Sequence, residues 1–167
     1  TDHSLWDPAA DNLARLLDPN HRLASSTELF RGMNENEGFQ ARFLVRFADL
    51  LNGPLRPEAS LPIINEMSDR IAPYMPLQIF RWQYPASYSG WENKIDALRT
   101  FMTGRPGYLF GYLLDHYQVS ETAPLSVSVE GPGELRIGSV TLRETSGSRV
   151  LTEFVGLDVE LQAVADD

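Results

Sequence analysis

The sequence predicts a mainly α-helical fold that ends in a small antiparallel β-module. Between residues 8 and 118, apolar side chains recur every three or four residues between strong stop signals, which is the period of amphipathic helices. From residue 125 onward they alternate with polar side chains, which is the period of half-buried strands. We therefore expect a helical segment over residues 1–118 and a β-module over residues 125–167.

The composition excludes several classes of protein. The 167 residues carry 14 basic and 23 acidic side chains, a formal net charge of −9. Nucleic acid is not an expected partner, because phosphate binding requires a basic surface. No apolar run reaches the roughly 20 residues that cross a bilayer, so no membrane partner is expected either. The absence of Cys removes disulfides, thiolate metal sites and cysteine nucleophiles.

Start and stop signals divide the helical segment into six predicted helices. Asp7 is a suitable N-cap with Pro8 in the first helical position, and Ser25 has capping-box spacing to Glu28. The third helix has two distinct faces: Phe39, Phe43 and Phe47 on one, and Arg42, Arg46 and Asp49 on the other. We interpret its charged face as a solvated, lightly paired surface, with an anion-binding patch as the alternative. The run 52–54, Asn-Gly-Pro, ends this helix.

The next helices are interrupted by prolines. Residues 57–72 predict a fourth helix, provided that Pro62 lies in its first turn, and two prolines then break the pattern. Ser89 opens a fifth helix that ends at Gly104, and Pro106 opens the sixth.

The β-module begins beyond residue 118. Its predicted strands cover residues 125–130, 135–137, 140–142 and 157–163. The phase of the alternation shifts by one residue after Gly138, which predicts a tight turn or bulge at that point.

An aromatic-rich segment supplies the candidate ligand surface: Trp82, Tyr84, Tyr88 and Trp91. Exposed aromatic faces are typical of sugar-binding surfaces. Aromatic side chains between helices more often belong to the core, where they bury a large apolar area. We therefore expect most of these rings to be packed, with Trp91 on the core face of its helix.

The sequence assigns no catalytic, cofactor-binding or metal-binding residue. The three histidines are scattered and form no pair at metal-ligand spacing. Asp7 and Asp11 lie one helical turn apart, but capping explains Asp7 and pairing with Arg15 explains Asp11. Phosphate chemistry uses a glycine-rich loop and a lysine, and Lys94 lies on the polar side of a helix.

A set of short runs between about residues 26 and 117 follows one family pattern in order. The runs are Leu29-Phe30-Arg31, Phe39 to Phe43, Arg46-Phe47-Ala48-Asp49-Leu50-Leu51-Asn52, Pro57-Glu58, Ile71 to Pro76, Arg81-Trp82, Trp91-Glu92, Leu98-Arg99 and Arg105-Pro106 with Tyr108. In this order they resemble the CotH kinase family.

The resemblance implies an origin in an atypical protein kinase. CotH-like proteins phosphorylate Ser or Thr on secreted or spore-coat proteins with ATP and Mg, and some relatives occur in cellulosomal or other extracellular proteins. The family's D-L-D-type acidic motif precedes the matching segment and is not found in this sequence. We therefore expect the chain to lie downstream of the catalytic carboxylates and to hold no cofactor itself.

The tail resembles a divergent internalin-type B-repeat module. The similarity lies in the alternating run from Val127 to Ile137 and in the alternation after Leu157. A segment with Gly, Phe and Trp closes such modules, and this tail has none. We expect an incomplete module with an open strand edge and a weak homodimer formed through that edge.

These observations predict the non-catalytic C-terminal portion of a CotH-like protein kinase, which completes its C-terminal lobe. Its expected partners are the upstream part of the same parent protein and a secreted or coat protein substrate. The expected location is extracellular, on the cell surface or in a spore coat. The alternatives are a carbohydrate-binding or adhesion module of a secreted protein, and a structural spacer.

Overall fold

The computed structural model describes residues 7–22 and 24–165. The fold is mainly α-helical with a small antiparallel β-module at the C-terminal end, as the sequence predicts. The helices are α1 (Asn12–Leu17), α2 (Ala24–Met33), α3 (Glu37–Asn52), α4 (Pro57–Ile71), α5 (Met75–Trp82) and α6 (Tyr88–Tyr117). The strands are β1 (Thr122–Val127), β2 (Glu134–Ile137), β3 (Val140–Arg143), β4 (Arg149–Phe154) and β5 (Gln162–Val164).

Packing divides the chain into two compact units. The helical unit comprises residues 55–108 with the residues before Asp11. The mixed unit comprises residues 11–54 and the chain from residue 109 onward. The division into a segment 1–118 and a module 125–167 stays a prediction, since it concerns sequence modules rather than compact packing units.

The mixed unit is built around α3. This helix begins at Glu37, and the preceding Asn36 caps it, because its side-chain oxygen accepts the Phe39 N–H at 3.0 Å. The core cluster of this part combines three helices and a strand: Leu13, Leu44, Ala48, Leu113 and Phe154. The phenylalanines predicted as the apolar face are partly buried beside it, with Phe30 and Phe43 in edge contact at 5.4 Å between ring centroids.

The strands of the mixed unit form two small sheets. β1 pairs with β4, and β2 lies between β3 and β5, all antiparallel. Ile137 pairs with Val140, so Gly138 and Ser139 form a two-residue turn, and Gly138 has a φ of +54° that suits glycine. The predicted turn is therefore confirmed. A second core cluster lies between the sheets: Val127, Ile137, Val140, Leu142 and Leu151.

Three strand predictions are corrected. The first strand, predicted over residues 125–130, is β1 at Thr122–Val127. The sequence pattern misses β4, because Val150 and Leu151 are consecutive apolar residues that interrupt the alternation of its sequence, RVLTEF. The predicted strand over residues 157–163 forms a ladder at Gln162–Val164 alone. Residues 157–161 precede β5 without sheet pairing.

The helical unit has a small core. Met75 and Trp91 are its buried apolar residues among those described. Arg105 holds the start of the chain, because its guanidinium donates to the carbonyl oxygens of Pro8 at 2.8 Å and Ala10 at 2.5 Å. This arginine belongs to one of the runs that resemble the CotH family, and here its contacts are structural.

Two predicted helix starts and the conformation of one predicted helix end are corrected in the first half of the chain. The N-cap of α1 is Asp11, which accepts the Ala14 N–H at 2.9 Å, whereas Asp7 accepts the N–H of Ala9 in a preceding turn. Ser25 lies inside α2, so it forms no capping box there. Gly53 does end α3, but with a φ of −103° rather than in the left-handed conformation.

The prolines are accommodated differently from the prediction. Pro62 is inside α4 beyond its first turn, and Pro73 and Pro76 lie at the starts of a 3₁₀ turn and of α5. Pro73 and Pro76 are tolerated because the first turn of a helix has free N–H groups. Pro106 lies inside α6, which is one 30-residue helix rather than two. Its cap is Ser87 rather than Ser89, since the Ser87 hydroxyl accepts the Gly90 N–H at 3.0 Å.

Candidate functional site

The predicted aromatic surface is only partly packed. The side chains of Trp82 and Tyr84 are 62% and 67% exposed, whereas Trp91 is 8% exposed, with Tyr88 against it at 5.1 Å between ring centroids. The expectation that most of these rings are packed is therefore wrong for Trp82 and Tyr84 and correct for Trp91. A ligand-binding role for the four aromatic residues stays a prediction.

Cations cover part of the exposed rings. The Arg81 guanidinium lies 5.1 Å from the centroid of the Trp82 ring, and the Lys94 ammonium lies 5.6 Å from that of Tyr84. Such contacts contribute about 0.5–1 kcal/mol at exposed sites. Each cation lies over one face of its ring, and both side chains remain mostly exposed.

A polar cleft of about 470 Å³ lies beside the buried end of the aromatic group. Tyr88 and Trp91 line it together with polar side chains of α4 and α6, among them Asp69, Glu92 and Arg99. The Arg99 guanidinium is already engaged, because it donates to Asp96 at 2.6 Å and to Asn65 at 2.9 Å. The cleft therefore offers hydrogen-bonding groups next to one aromatic pair.

An exposed apolar face runs along α4, the 3₁₀ turn and α5. Its large side chains recur at helical spacing: Ile63, Met67, Ile71, Tyr74, Leu77 and Phe80. Leu77 and Phe80 are 67% and 80% exposed. Between residues 71 and 91 the one charged side chain is Arg81, in a chain with a net charge of −9. Large exposed apolar patches of this kind usually mark contact surfaces.

A second cleft, of about 830 Å³, lies in the mixed unit between α3 and the strands. Its apolar lining comes from α3, from β2, β3 and β4, and from the segment before β5, and it includes Val45, Val140, Leu151 and Val159. Charged side chains surround this lining: Arg42, Arg46 and Asp49 of α3, Arg136 of β2, and Glu153, Asp158 and Glu160. The charged face of α3, interpreted from sequence as a solvated surface, thus faces this cleft.

Asp49 fixes the β2–β3 turn against α3. Its carboxylate accepts hydrogen bonds from the Ser139 N–H and from Arg46, and its side chain is 9% exposed. A Cβ on Gly138 would lie 2.6 Å from the carboxylate carbon, so the turn approaches the helix closely because residue 138 has no side chain.

Asn52 holds β4 in the way that a neighbouring strand does. Its amide nitrogen donates to the carbonyl of Thr152 at 2.8 Å, and its side-chain oxygen accepts the Thr152 N–H at 2.8 Å. The same amide nitrogen donates to Glu153 at 3.0 Å, and Arg149 donates to the Asn52 backbone carbonyl. Asn52 therefore satisfies the outward backbone groups of β4 at Thr152.

Glu153 is the titratable group with a perturbed pKa at this cleft. Burial raises its pKa above the ordinary 4.5, and the nearby Asp49 carboxylate raises it further, while the Asn52 hydrogen bond opposes both effects. Two carboxylates thus lie close together between α3 and β4.

The remaining acidic and histidine candidates have structural partners. Asp11 accepts a hydrogen bond from the Ala14 N–H and lies 2.7 Å from His116 Nε2. Burial acts to raise the pKa of Asp11, but these hydrogen bonds outweigh it and lower the pKa. Within residues 7–22 and 24–165, no three His, Asp or Glu side chains come together in a group suited to a metal ion. His3 lies outside the described residues.

Even the 30-residue α6, like the other described helices, lacks an apolar stretch that would span a bilayer. The model of the CotH kinase protein family matches residues 8–109. The match covers α1 to α5 and most of α6, and it includes Asp49 and Asn52 but not their partners in the β-module. No curated protein and no solved structure shows significant similarity to the chain.

Proposed function

Because the chain belongs to the CotH kinase family, we propose that it forms the non-catalytic C-terminal portion of a CotH-like protein Ser/Thr kinase. In this role it completes the C-terminal lobe of the enzyme. The catalytic carboxylates, and with them ATP and Mg, belong to an upstream part of the same parent protein. The substrate is a secreted or spore-coat protein, and the location is extracellular or in the coat.

The exposed apolar face of α4 and α5 supports this proposal. Burial of a large apolar side chain contributes about 1.5–3 kcal/mol, so leaving six of them in water is costly for a unit whose own core is small. The near absence of charge over residues 71–91 suits a surface that packs against the rest of a protein lobe. We propose the upstream part of the kinase as the partner that covers this face.

The experiment substitutes one side chain on this face in two contexts. The side chain of Leu77 is 67% exposed in this chain. The melting temperature of the Leu77→Glu variant of the chain should therefore stay within about 1–2 °C of the wild type. In the parent kinase the same substitution should bury a charge and lower both stability and phosphate transfer. Asn93→Glu, which adds the same charge on α6, is the control expected to be neutral in both.

Equal tolerance of Leu77→Glu in the chain and in the parent kinase would refute the proposed packing role. Because the substitution should leave the stability of the chain itself unchanged, a loss of stability or phosphate transfer in the parent would indicate that this face is covered there.

The exposed rings of Trp82 and Tyr84 favour a second candidate, a carbohydrate-binding or adhesion module. Each ring keeps one face free of its cation, and the polar cleft lies beside Tyr88. Affinity electrophoresis in gels that contain polysaccharides tests it. Retardation that Trp82→Ala abolishes without a change in melting temperature would favour this candidate over the kinase-lobe proposal.

A further inference from the structure

The segment between β4 and β5 has the sequence pattern of a strand. Leu157 and Val159 pack against the two core clusters, whereas Asp158 and Glu160 are exposed. This alternation is the burial pattern of a strand with one face on a core. The segment leads directly into β5 at Gln162.

The backbone of this segment lacks a strand partner. The N–H and C=O groups of residues 158–161 form no backbone hydrogen bond with any described residue. The cause lies in β2, whose pairing with β5 ends at Arg136 opposite Gln162. Two residues further on, β2 turns at Gly138 toward β3, so no strand continues beside residues 157–161.

The cleft of about 830 Å³ lies beside these unpaired groups. Four consecutive residues, 157–160, line it, so both the backbone and the alternating side chains border the space. On the opposite side it is lined by α3, with Val45 between Arg42 and Asp49. An extended peptide can bind to free strand backbone as an added strand, with main-chain hydrogen bonds for affinity and pockets for alternate side chains for specificity.

We propose that residues 157–161 are a docking strand for an extended segment of another polypeptide, in which apolar residues alternate with Lys or Arg. Backbone hydrogen bonds to residues 158–161 provide the register. Apolar side chains of the partner enter the cleft over Val45 and Leu151. Its basic side chains lie on the solvent side, opposite Asp158 and Glu160, because opposite charges stabilise cross-strand pairs.

Charge argues against a second copy of this chain as the partner. Antiparallel pairing of two copies centred on Val159 sets Asp158 opposite Glu160 in both directions. Like charges directly opposite each other destabilise a strand pair. A basic segment gains from the same two carboxylates, and two of the three arginines that line the cleft are already paired, Arg46 with Asp49 and Arg136 with Glu134.

The test is titration of the full chain into fluorescently labelled peptides of about seven residues, the usual length of a strand. A peptide in which Val alternates with Lys should bind saturably. A peptide with Glu in place of Lys, and a Val/Lys peptide N-methylated at alternate amides, should not bind. Hydrogen exchange of the amides at residues 158–161 should slow in the complex.

A charge reversal and a matched control sharpen the test. The double variant Asp158→Lys, Glu160→Lys should bind the Val/Lys peptide about tenfold more weakly and should acquire binding of the Val/Glu peptide. The control Glu130→Lys, Glu144→Lys makes the same change of net charge at exposed positions away from the cleft, and should bind as the wild type does.

Three results overturn the proposal: no saturable binding of the Val/Lys peptide, equal binding of the Val/Lys and Val/Glu peptides, or binding that N-methylation leaves unchanged. Sedimentation of the wild type as a dimer that the Asp158→Lys, Glu160→Lys variant disrupts would identify a second copy as the occupant and overturn it also. The proposed kinase-lobe function is unaffected by any of these results, because it concerns α4 and α5.

Discussion

Asn52 provides a stringent test of how the β-module is held. Replacement with Ala removes the side-chain amide that bonds the Thr152 N–H and C=O, both at 2.8 Å, and Glu153 at 3.0 Å. The backbone contact from Arg149 to the Asn52 carbonyl remains. The substitution therefore isolates the three side-chain hydrogen bonds.

The expected loss follows from these bonds. A net contribution of about 1 kcal/mol for each gives a decrease in unfolding free energy of about 3 kcal/mol. For a chain of this size that corresponds to a decrease in melting temperature of about 6–12 °C. The loss includes the outward N–H and C=O of Thr152, which are left without their partner.

Thermal unfolding followed by circular dichroism measures the loss, and hydrogen exchange localises it. The Thr152 amide should exchange faster in Asn52→Ala, while the Leu151 amide, in the strand pair with Leu125, keeps its protection. Asn93→Ala is the matched control, because it removes the same side chain at an exposed position of α6. If Asn52→Ala unfolds within about 0.5 kcal/mol of the control, Asn52 does not hold β4.

Two further predictions concern Glu153 and the aromatic residues. Glu153→Gln should raise the melting temperature at pH 7, because the folded pKa of this carboxyl lies above its unfolded value and its ionised form is disfavoured in the fold. The difference in melting temperature between Glu153→Gln and the wild type should shrink as the pH falls toward 4.5, because wild-type Glu153 then takes up its proton. A difference that stays constant across this pH range in thermal melts would contradict this prediction. Trp91→Ala should cost about 3–5 kcal/mol in chemical denaturation because the ring is buried, whereas Trp82→Ala should change stability by less than about 1 kcal/mol. Equal losses of unfolding free energy for the two variants would contradict the burial of Trp91 and the exposure of Trp82.

The sequence predicts helices best where local signals agree. The run 52–54 ends α3, and Pro57 at its first position starts α4, because both signals act within a few residues. α5 was missed because Pro73 and Pro76 were interpreted as breakers, although proline at the start of a helix loses no hydrogen bond. The sequence divides α6 in two because Pro106 is interpreted as the start of a new helix, whereas it lies inside one 30-residue helix.

The strands and the charged site depend on contacts between distant residues. The alternation after Leu157 is that of a strand, yet pairing requires a neighbour, and β2 ends before it provides one. Asp49 and Asn52 were visible only as a polar helix face and a helix stop. Their partners, Ser139 and Thr152, follow them by 90 and 100 residues, so no local pattern could have indicated the contact.

Calorimetric titration of Mg-ATP into the chain and into the parent kinase tests the proposal that this chain is the non-catalytic part of a CotH-like kinase. We expect no saturable heat for the chain and stoichiometric binding for the parent. The proposal would be contradicted if the chain itself bound Mg-ATP stoichiometrically and transferred labelled phosphate to a Ser or Thr substrate, with an activity that persists after the chain is repurified.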